Sequence, residues 1–476
     1  MQKIAFVNTL KKDDQMPPQS PQSRFLTAPI GPTIIRLAAP NMIAMLVTMI
    51  TLIAEAWYVS RLGTVSLAGL ALAFPMMMLT MFLSAGSIGG AITGSIAQRL
   101  GAGDRPGAEI LSFHAVLLAV LLAVLSSLVF LIGGPAIYGA LGGGDAVLAE
   151  ALAYSNVLFW GVVSMWLANG LAAIVRATGH MKVAAKYLIA GSIVQIIVAG
   201  VLVLGVGPFP KLGIAGAATG VVIGHGLAAI LLLYHLTTRC VELRLRCTGI
   251  AVRLAPMSAI LKVGALSSVN SFCSLGAIII ITAFMARFGV DVLAGYGVGS
   301  RLEFLVVPLI FGFGAASTAL VGVHFGADKI ERAHRFGWTA ALYSAAMCGV
   351  IGVAAALFPG AWTNLFTDSE AVRAASNGYL QIAGPFYAFF GLALCLYFAS
   401  QGAGRVLWPV IAALLRVVVV LVGGLILLRS ENAGHQDFFW LIAAGMATQA
   451  VVSAVAIQFG AWTRGLDRDK NVPDRI

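Results

Sequence analysis

The chain has 476 residues, of which 59% are hydrophobic and 10% charged, with a mean hydropathy of +0.94 and a formal charge of +11. Soluble domains carry about 25% charged residues, so this composition excludes an ordinary soluble protein and points to a polytopic membrane protein. Its 54 glycines suit membrane helices that pack closely through small side chains.

Residues 1–32 are polar, contain Lys11, Lys12, Pro17 and Pro18, and read as a cytosolic tail with no secretory signal pattern before the first span. Apolar runs of roughly 20 residues or more then predict twelve membrane helices. They lie near 33–60, 65–95, 110–133, 148–174, 184–206, 213–237, 257–286, 291–321, 336–358, 375–400, 406–428 and 437–462. The first six form an N-lobe (33–237), a basic cytosolic linker follows (238–256), and the last six form a C-lobe (257–462) before a cytosolic tail (463–476).

Lysine and arginine fall in alternate connections. One side holds both tails and the even-to-odd loops, such as "TTRCVELRLRCTGIAVR" (237–253); the other holds little beyond Arg61, Lys211, Arg287, Arg373 and Arg429. This positive-inside asymmetry predicts a multi-pass protein of the cytoplasmic (inner) membrane with both termini cytosolic. It accounts for the basicity without nucleic acid as a partner. Cys273, Cys348 and Cys395 lie inside spans and Cys240 and Cys247 share the linker, with no metal-ligand spacing, so they read as packing residues or free thiols.

The chain repeats itself. "SRLGTVSLAG" (60–69) matches "ARFGVDVLAG" (286–295) without gaps, "RLGAGDRPGAE" (99–109) answers "HFGADKIERAH" (324–334), and "RATGHMKVA" (176–184) answers "ASQGAGRVL" (399–407). Six spans per half is an even number, so both halves enter from the same side. The fold expected is an all-α polytopic membrane protein of two six-helix lobes, related by a pseudo-two-fold axis along the membrane normal, with a cleft between them.

Inside the first span lies one acid, Glu55. Asn41, Met45, Thr48, Thr51, Glu55 and Tyr58 step by three and four and share one side of the helix, with Ile43, Leu46, Ile50 and Ile53 opposite. A polar stripe of this kind faces a bundle interior or a wet cavity. An ionised carboxylate in hydrocarbon costs on the order of 3 kcal/mol, so one that is charged when open to water and neutral when occluded is a workable ion-coupling element. Thr51 and Tyr58, one turn to either side, are its expected hydrogen-bond partners. The competing reading is structural: Glu55 lies five residues from Ser60, within reach of the interface or of Arg61. Ile281 holds the corresponding place in the second half.

Arg301 and Glu303 are the second-lobe charged candidates, near the middle of the eighth span. Two residues apart, they point to different sides and are poor partners for one another. Each needs a partner elsewhere, in a cleft or in a structural bridge. Asn41, Met45, Thr48, Asn169, Asn270, Tyr387 and Tyr397 are the candidates for a substrate cleft. Met42, Met45, Met49, Met76, Met77, Met78 and Met81 crowd the first two spans, a flexible surface suited to varied apolar ligands and equally to plain packing.

The stretches "IRLAAPNMIAMLVTMITLIAEAWYVSRLGTVSLAGLALAFP", "GPFPKLGIAGAATGVVIGHG" and "MARFGVDVLAGYGVGSRLEFL", together with the "GAGDRPGAE" turn, resemble the multidrug and toxic compound extrusion (MATE) family over about residues 30 to 460. Within that family the chain resembles the proton-coupled, DNA-damage-inducible-protein-F-like branch. The resemblance implies a two-lobe secondary antiporter that exports organic, amphipathic or cationic compounds by alternating access. It implies no cofactor, a proton as coupling ion with sodium as the alternative, and a monomer in the lipid bilayer with a small-molecule substrate.

Departures from the family pattern stand beside it. Glu55 replaces the usual aspartate of the first helix. Gln195, Ala199 and Gly200 stand where the fifth helix often carries N-x-x-x-D-P, which makes Gln195 a coupling candidate with Glu55. The seventh and tenth spans lack the acids of the sodium-coupled branch, and Ser274 stands near one such point. Similar Arg-x-Glu pairs in relatives favour the second lobe's cleft for Arg301 and Glu303. The rival carriers are a sodium-coupled MATE exporter, a polyisoprenoid-linked sugar flippase and a major-facilitator carrier. An enzyme is not expected: no H-E-x-x-H zinc motif and no P-loop occurs.

Overall fold

The computed structural model describes residues 25–246 and 250–463; most of the expected N-terminal tail and all but the first residue of the C-terminal tail lie outside them. Among the described residues twelve long helical segments follow one another: α1 (Ile30–Ser60), α2 (Thr64–Gly101), α3 (Arg105–Ala140), α4 (Asp145–Trp160 and Val163–Ala177), α5 (Met181–Leu204), α6 (Ile214–Arg239), α7 (Leu254–Phe288), α8 (Val290–Gly326), α9 (Ile330–Leu357), α10 (Glu370–Gly402), α11 (Leu407–Leu427) and α12 (His435–Gln458). Among the described residues eleven of these are each long and apolar enough to cross a membrane, and α4 makes the twelfth as two pieces bent by 50°.

Several boundaries differ from the apolar runs. α3 begins five residues earlier than its span because Asp104 caps it, its Oδ1 accepting from Gly107 N at 2.8 Å, with Pro106 in the first turn. α1 begins at Ile30, inside the segment expected to be tail, and α12 ends at Gln458, four residues before Trp462. Trp462 is nonetheless fully buried, its indole donating to Ser400 Oγ at 3.0 Å. α2 relaxes into a π-helical stretch over Phe82–Ile88. α10 tightens into a 3₁₀ turn at Gly384–Phe386, where Pro385 removes an amide.

The duplication is visible in the packing. A Cβ added at Gly69 on α2 would lie 3.0 Å from the Ala151 amide of α4; one at Gly295 on α8 would lie 2.9 Å from the Ser376 amide of α10. These glycines close the matched "LAG" triplets of the two halves, so the same bare backbone contact holds the second and fourth helices of each lobe together. Ile92, Phe159, Ile174 and Ala217 centre one core, and Phe336, Tyr379, Leu396 and Phe438 centre the other. α1 crosses between them. Ile34, Leu37 and Ala38 join the second core while Val59 joins the first, so the lobe boundary does not follow the chain as cleanly as 33–237 implies.

Among the described residues, the hydrogen bonds and close glycine contacts between the lobes fall mainly in the C-terminal halves of α2, α8 and α10, the N-terminal half of α7 and the first part of α1. Ser87 Oγ lies 2.9 Å from Ser271 Oγ and donates to Ser267 O at 3.2 Å; Gln98 Nε2 donates to Gly402 O at 2.7 Å, and Gln401 Nε2 to Gly86 O at 3.0 Å. Glycine makes this seam possible. A Cβ at Gly322 would lie 2.8 Å from the Ala97 methyl, and one at Gly94 would meet the Gln401 backbone.

The described part of the linker docks on the first lobe. Leu243 and Leu245 are buried in its core, Arg244 N donates to Glu109 Oε1 at 3.2 Å and Arg253 N to His114 Nε2 at 2.9 Å. Burial pushes the Cys240 thiol up to about 11.

Candidate functional site

Helix periodicity places the α1 stripe inside. Asn41, Thr51 and Glu55 are buried and Met45, Thr48 and Tyr58 half-buried, whereas Ile43, Ile50 and Ile53 are exposed at 55%, 57% and 69%. The carboxylate of Glu55 sits in the interior of the first lobe. Tyr154 of α4 donates to its Oε1 at 2.7 Å, and the Tyr154 hydroxyl also lies 3.1 Å from Met77 Sδ of α2. Glu55 Oε2 is buried and has no hydrogen-bond partner. A half-satisfied carboxylate is a site where a proton or a cation completes the coordination.

The neighbours along α1 do other things than the spacing predicts. Thr51 donates to Val47 O at 2.9 Å and Thr48 to Ala44 O at 3.0 Å, each bonding back into its own helix. Tyr58 packs over Gly200 of α5, where a Cβ would lie 2.8 Å from its ring. Gln195 is buried on α5 against Gly224 of α6. Arg61 makes no ion pair with Glu55; its guanidinium lies 4.6 Å from the Trp57 ring centroid. Asn41 Nδ2 reaches Leu37 O and Met181 Sδ, both at 3.3 Å.

The second lobe carries its own buried polar group. Glu303 accepts from Tyr379 of α10 at 3.1 Å and pairs with Arg416 of α11 at 3.6 Å; Arg416 in turn donates to Gln449 Oε1 of α12 at 3.3 Å and lies 5.5 Å from the Phe390 ring centroid. Arg301 takes no part. It is exposed, with its guanidinium 5.6 Å from the Phe366 ring centroid. Glu303 therefore belongs to an interhelical bridge, the second of the two alternatives left open by its spacing.

Arg301 and Glu303 are not the only charges within the second-lobe helices. Arg416 was missed, and its signal was a lone cation in "VIAALLRVVVVLVGG". Arg176 was missed too; it is buried near the end of α4, 5.7 Å from the Phe311 ring centroid of α8. The cleft candidates scatter. Asn169 Nδ2 donates to Ser84 Oγ at 2.9 Å within the first lobe, while Tyr387 is fully buried in the second core rather than lining an opening. Tyr397 belongs to the seam, donating to Ser267 O at 3.1 Å and accepting from Gln401 Nε2 at 3.0 Å. Asn270, one turn from Ser267 and next to Ser271, is buried with Oδ1 unpartnered.

Comparison with known proteins gives a coherent answer. The MatE family model matches residues 40–201 and 267–426, one stretch in each half. The chain is 23% identical over 403 residues to the FAD transporter of Shewanella oneidensis, covering 83% of this chain and 87% of that one. It is 26% identical over 433 residues to the "Probable multidrug resistance protein NorM" of Deinococcus radiodurans, covering 87% and 90%. A solved structure described as the "Outward-facing conformation of a multidrug resistance MATE family transporter of the MOP superfamily" superposes with a TM-score of 0.84 at 22% identity, covering 92% of this chain and 97% of that one.

Proposed function

The chain belongs to the MATE family of efflux transporters, and on that premise we propose that it exports organic compounds in exchange for protons, with Glu55 as the coupling acid. The observation that carries the reading is the carboxylate itself, buried in the first lobe with one oxygen held by Tyr154 and the other unpartnered. Protonation neutralises the group for occlusion, and loss of the proton readies it for the next cycle. Tyr154 holds the carboxylate in place through both states. Gln195 and Tyr58 are proposed to shape the space around it.

We further propose an inner-membrane monomer with its basic loops in the cytosol. In that orientation the seam closes the cytosolic side, and the opposite ends of α1, α2, α7 and α8 form the mouth through which substrate leaves. Parting the seam while the mouth closes would present the site to the cytosol. Amphipathic or cationic compounds are the first substrates to try. The relative from Shewanella oneidensis is called an FAD transporter, which makes a flavin dinucleotide the second.

Wild type and Glu55→Gln, reconstituted in liposomes, test the reading. Proton entry is followed as a fluorescent organic cation or FAD is added, with and without sodium, and folding is checked by thermal shift in detergent. Substrate-driven proton entry without sodium, lost in the folded variant, supports Glu55 as the coupling acid. A folded Glu55→Gln that still exchanges protons refutes it. A strict sodium requirement in wild type refutes proton coupling.

A further inference from the structure

On the membrane face that carries the linker, three side chains from two distant segments converge. His180 lies in the turn between the two helices α4 and α5, and Cys240 and Glu242 lie at the start of the linker. One ligand atom from each lies within 4.8 Å of the other two. Cys240 Sγ stands 3.6 Å from Glu242 Oε2, and His180 Nδ1 stands 3.7 Å from the same oxygen.

These distances have a chemical meaning. A tetrahedral cation with bonds of about 2.0 to 2.3 Å to nitrogen, oxygen and sulfur separates its ligand atoms by roughly 3.3 to 3.8 Å. Cys240 is buried and the Glu242 side chain is 11% exposed, so neither group is spent on solvent, while His180 at 34% leaves a way in. Thr178 Oγ1 lies 3.0 Å from His180 Nδ1, the nitrogen that faces Glu242, so a metal bound there takes the place of that contact.

A fourth group stands beside the three. His235, in the last turn of α6, is 9% exposed, its Nε2 is buried with no hydrogen-bond partner, and its ring centroid is 6.2 Å from that of His180. Arg239 is the cation nearest this set in sequence, and its guanidinium lies 5.5 Å from the Tyr234 ring centroid.

We propose that His180, Cys240 and Glu242 form a binding site for a divalent cation of the zinc class, with His235 or water as the fourth ligand. A thiolate, an imidazole and a carboxylate are a donor set for Zn²⁺ and are ill suited to Mg²⁺ or Ca²⁺, which take oxygen ligands. On binding, the Cys240 thiol gives its proton to solvent and the sulfur takes the metal bond; no electron is transferred. The bound ion fastens the start of the linker to the α4–α5 turn, fixing the point from which the chain leaves the first lobe for the second.

The test uses the full chain, purified in detergent through a tag without histidines, stripped with chelator and loaded with ZnCl₂ or CoCl₂. Metal retained after desalting is counted by atomic emission, and the near-ultraviolet charge-transfer band of cobalt reports thiolate ligation. Wild type should retain one zinc per chain, show the cobalt band and gain thermal stability with zinc. Loss of an outer supporting group alone weakens metal binding about 10- to 100-fold, so Cys240→Ser, His180→Ala and Glu242→Gln should each weaken it at least tenfold, and Cys240→Ser should abolish the band. Wild type that retains no zinc overturns the proposal, as does a band that survives Cys240→Ser. Unchanged retention in the variants that fold does the same.

Discussion

Tyr154 donates a 2.7 Å hydrogen bond to Glu55 across 99 positions of sequence, so the acid of the first helix is held by the fourth. Tyr154→Phe keeps the ring and removes the donor. A buried hydrogen bond of this kind contributes about 1 to 3 kcal/mol, and the variant should lose stability of that order in a detergent melt. Substrate-driven proton entry should fall, and its pH midpoint should move. A tyrosine with only a packing role would lower the rate equally at every pH.

Arg416 and Glu303 stand 3.6 Å apart with side chains 9% and 18% exposed. Removing one partner from a buried pair strands the other, at a cost of about 3 to 5 kcal/mol. Arg416→Met should be destabilised on that scale, and Glu303→Gln added to it should recover much of the loss. Two single variants whose effects simply add would show that the pair is not coupled. Neither change should abolish proton entry if Glu55 alone carries it.

Gly94 meets the backbone of Gln401 and Gly402 across the seam, with the Gly402 Cα 3.1 Å from where a Cβ would stand. Backbone cannot rotate out of the way, so Gly94→Val should hold the lobes apart at that end. A shift of about 1.4 kcal/mol moves a two-state population tenfold. In a background without native cysteines, Ser271→Cys should then react about tenfold faster with an impermeant thiol reagent applied to the seam side. Equal labelling in Gly94 and Gly94→Val forms would mean the seam does not move.

Glu109 gathers the linker, accepting from Arg244 N at 3.2 Å and facing Arg246 at 3.9 Å and Arg105 at 3.2 Å. These arginines are solvated, so Glu109→Ala should cost no more than about 1 kcal/mol. The local effect should be larger. Limited trypsin digestion should cut between 244 and 253 faster in the variant, and an unchanged rate would show that the buried leucines alone hold the segment.

Helix count was legible because apolar length is a strong signal, and Glu55 was legible because a lone acid on a helical stripe stands out against the apolar residues around it. The partners were not. Tyr154 sits in "AEALAYSNVLF" with no local feature to mark it, and only the fold brings α4 against α1. Thr51, the partner that spacing suggested, satisfies itself on Val47 O because a threonine inside a membrane helix has an accepting carbonyl one turn back. The metal-ligating set was invisible for the same reason: His180 and Cys240 are far apart in sequence, and cysteine spacing within the linker carries no trace of the histidine. The break in α4 falls at Gly161, a residue too common in this chain to single out.

Gly94, Gly101, Gly322 and Gly326 hold the two halves in backbone-to-backbone contact. Every amino-acid change at these positions adds volume and none removes it. Random drift at the seam therefore has a direction: each accepted change wedges the halves apart, and only a compensating shrinkage across the interface can restore the fit. Lineages descended from this protein should diversify freely on the lipid face and at the helix ends while the seam stays fixed, or changes in pairs.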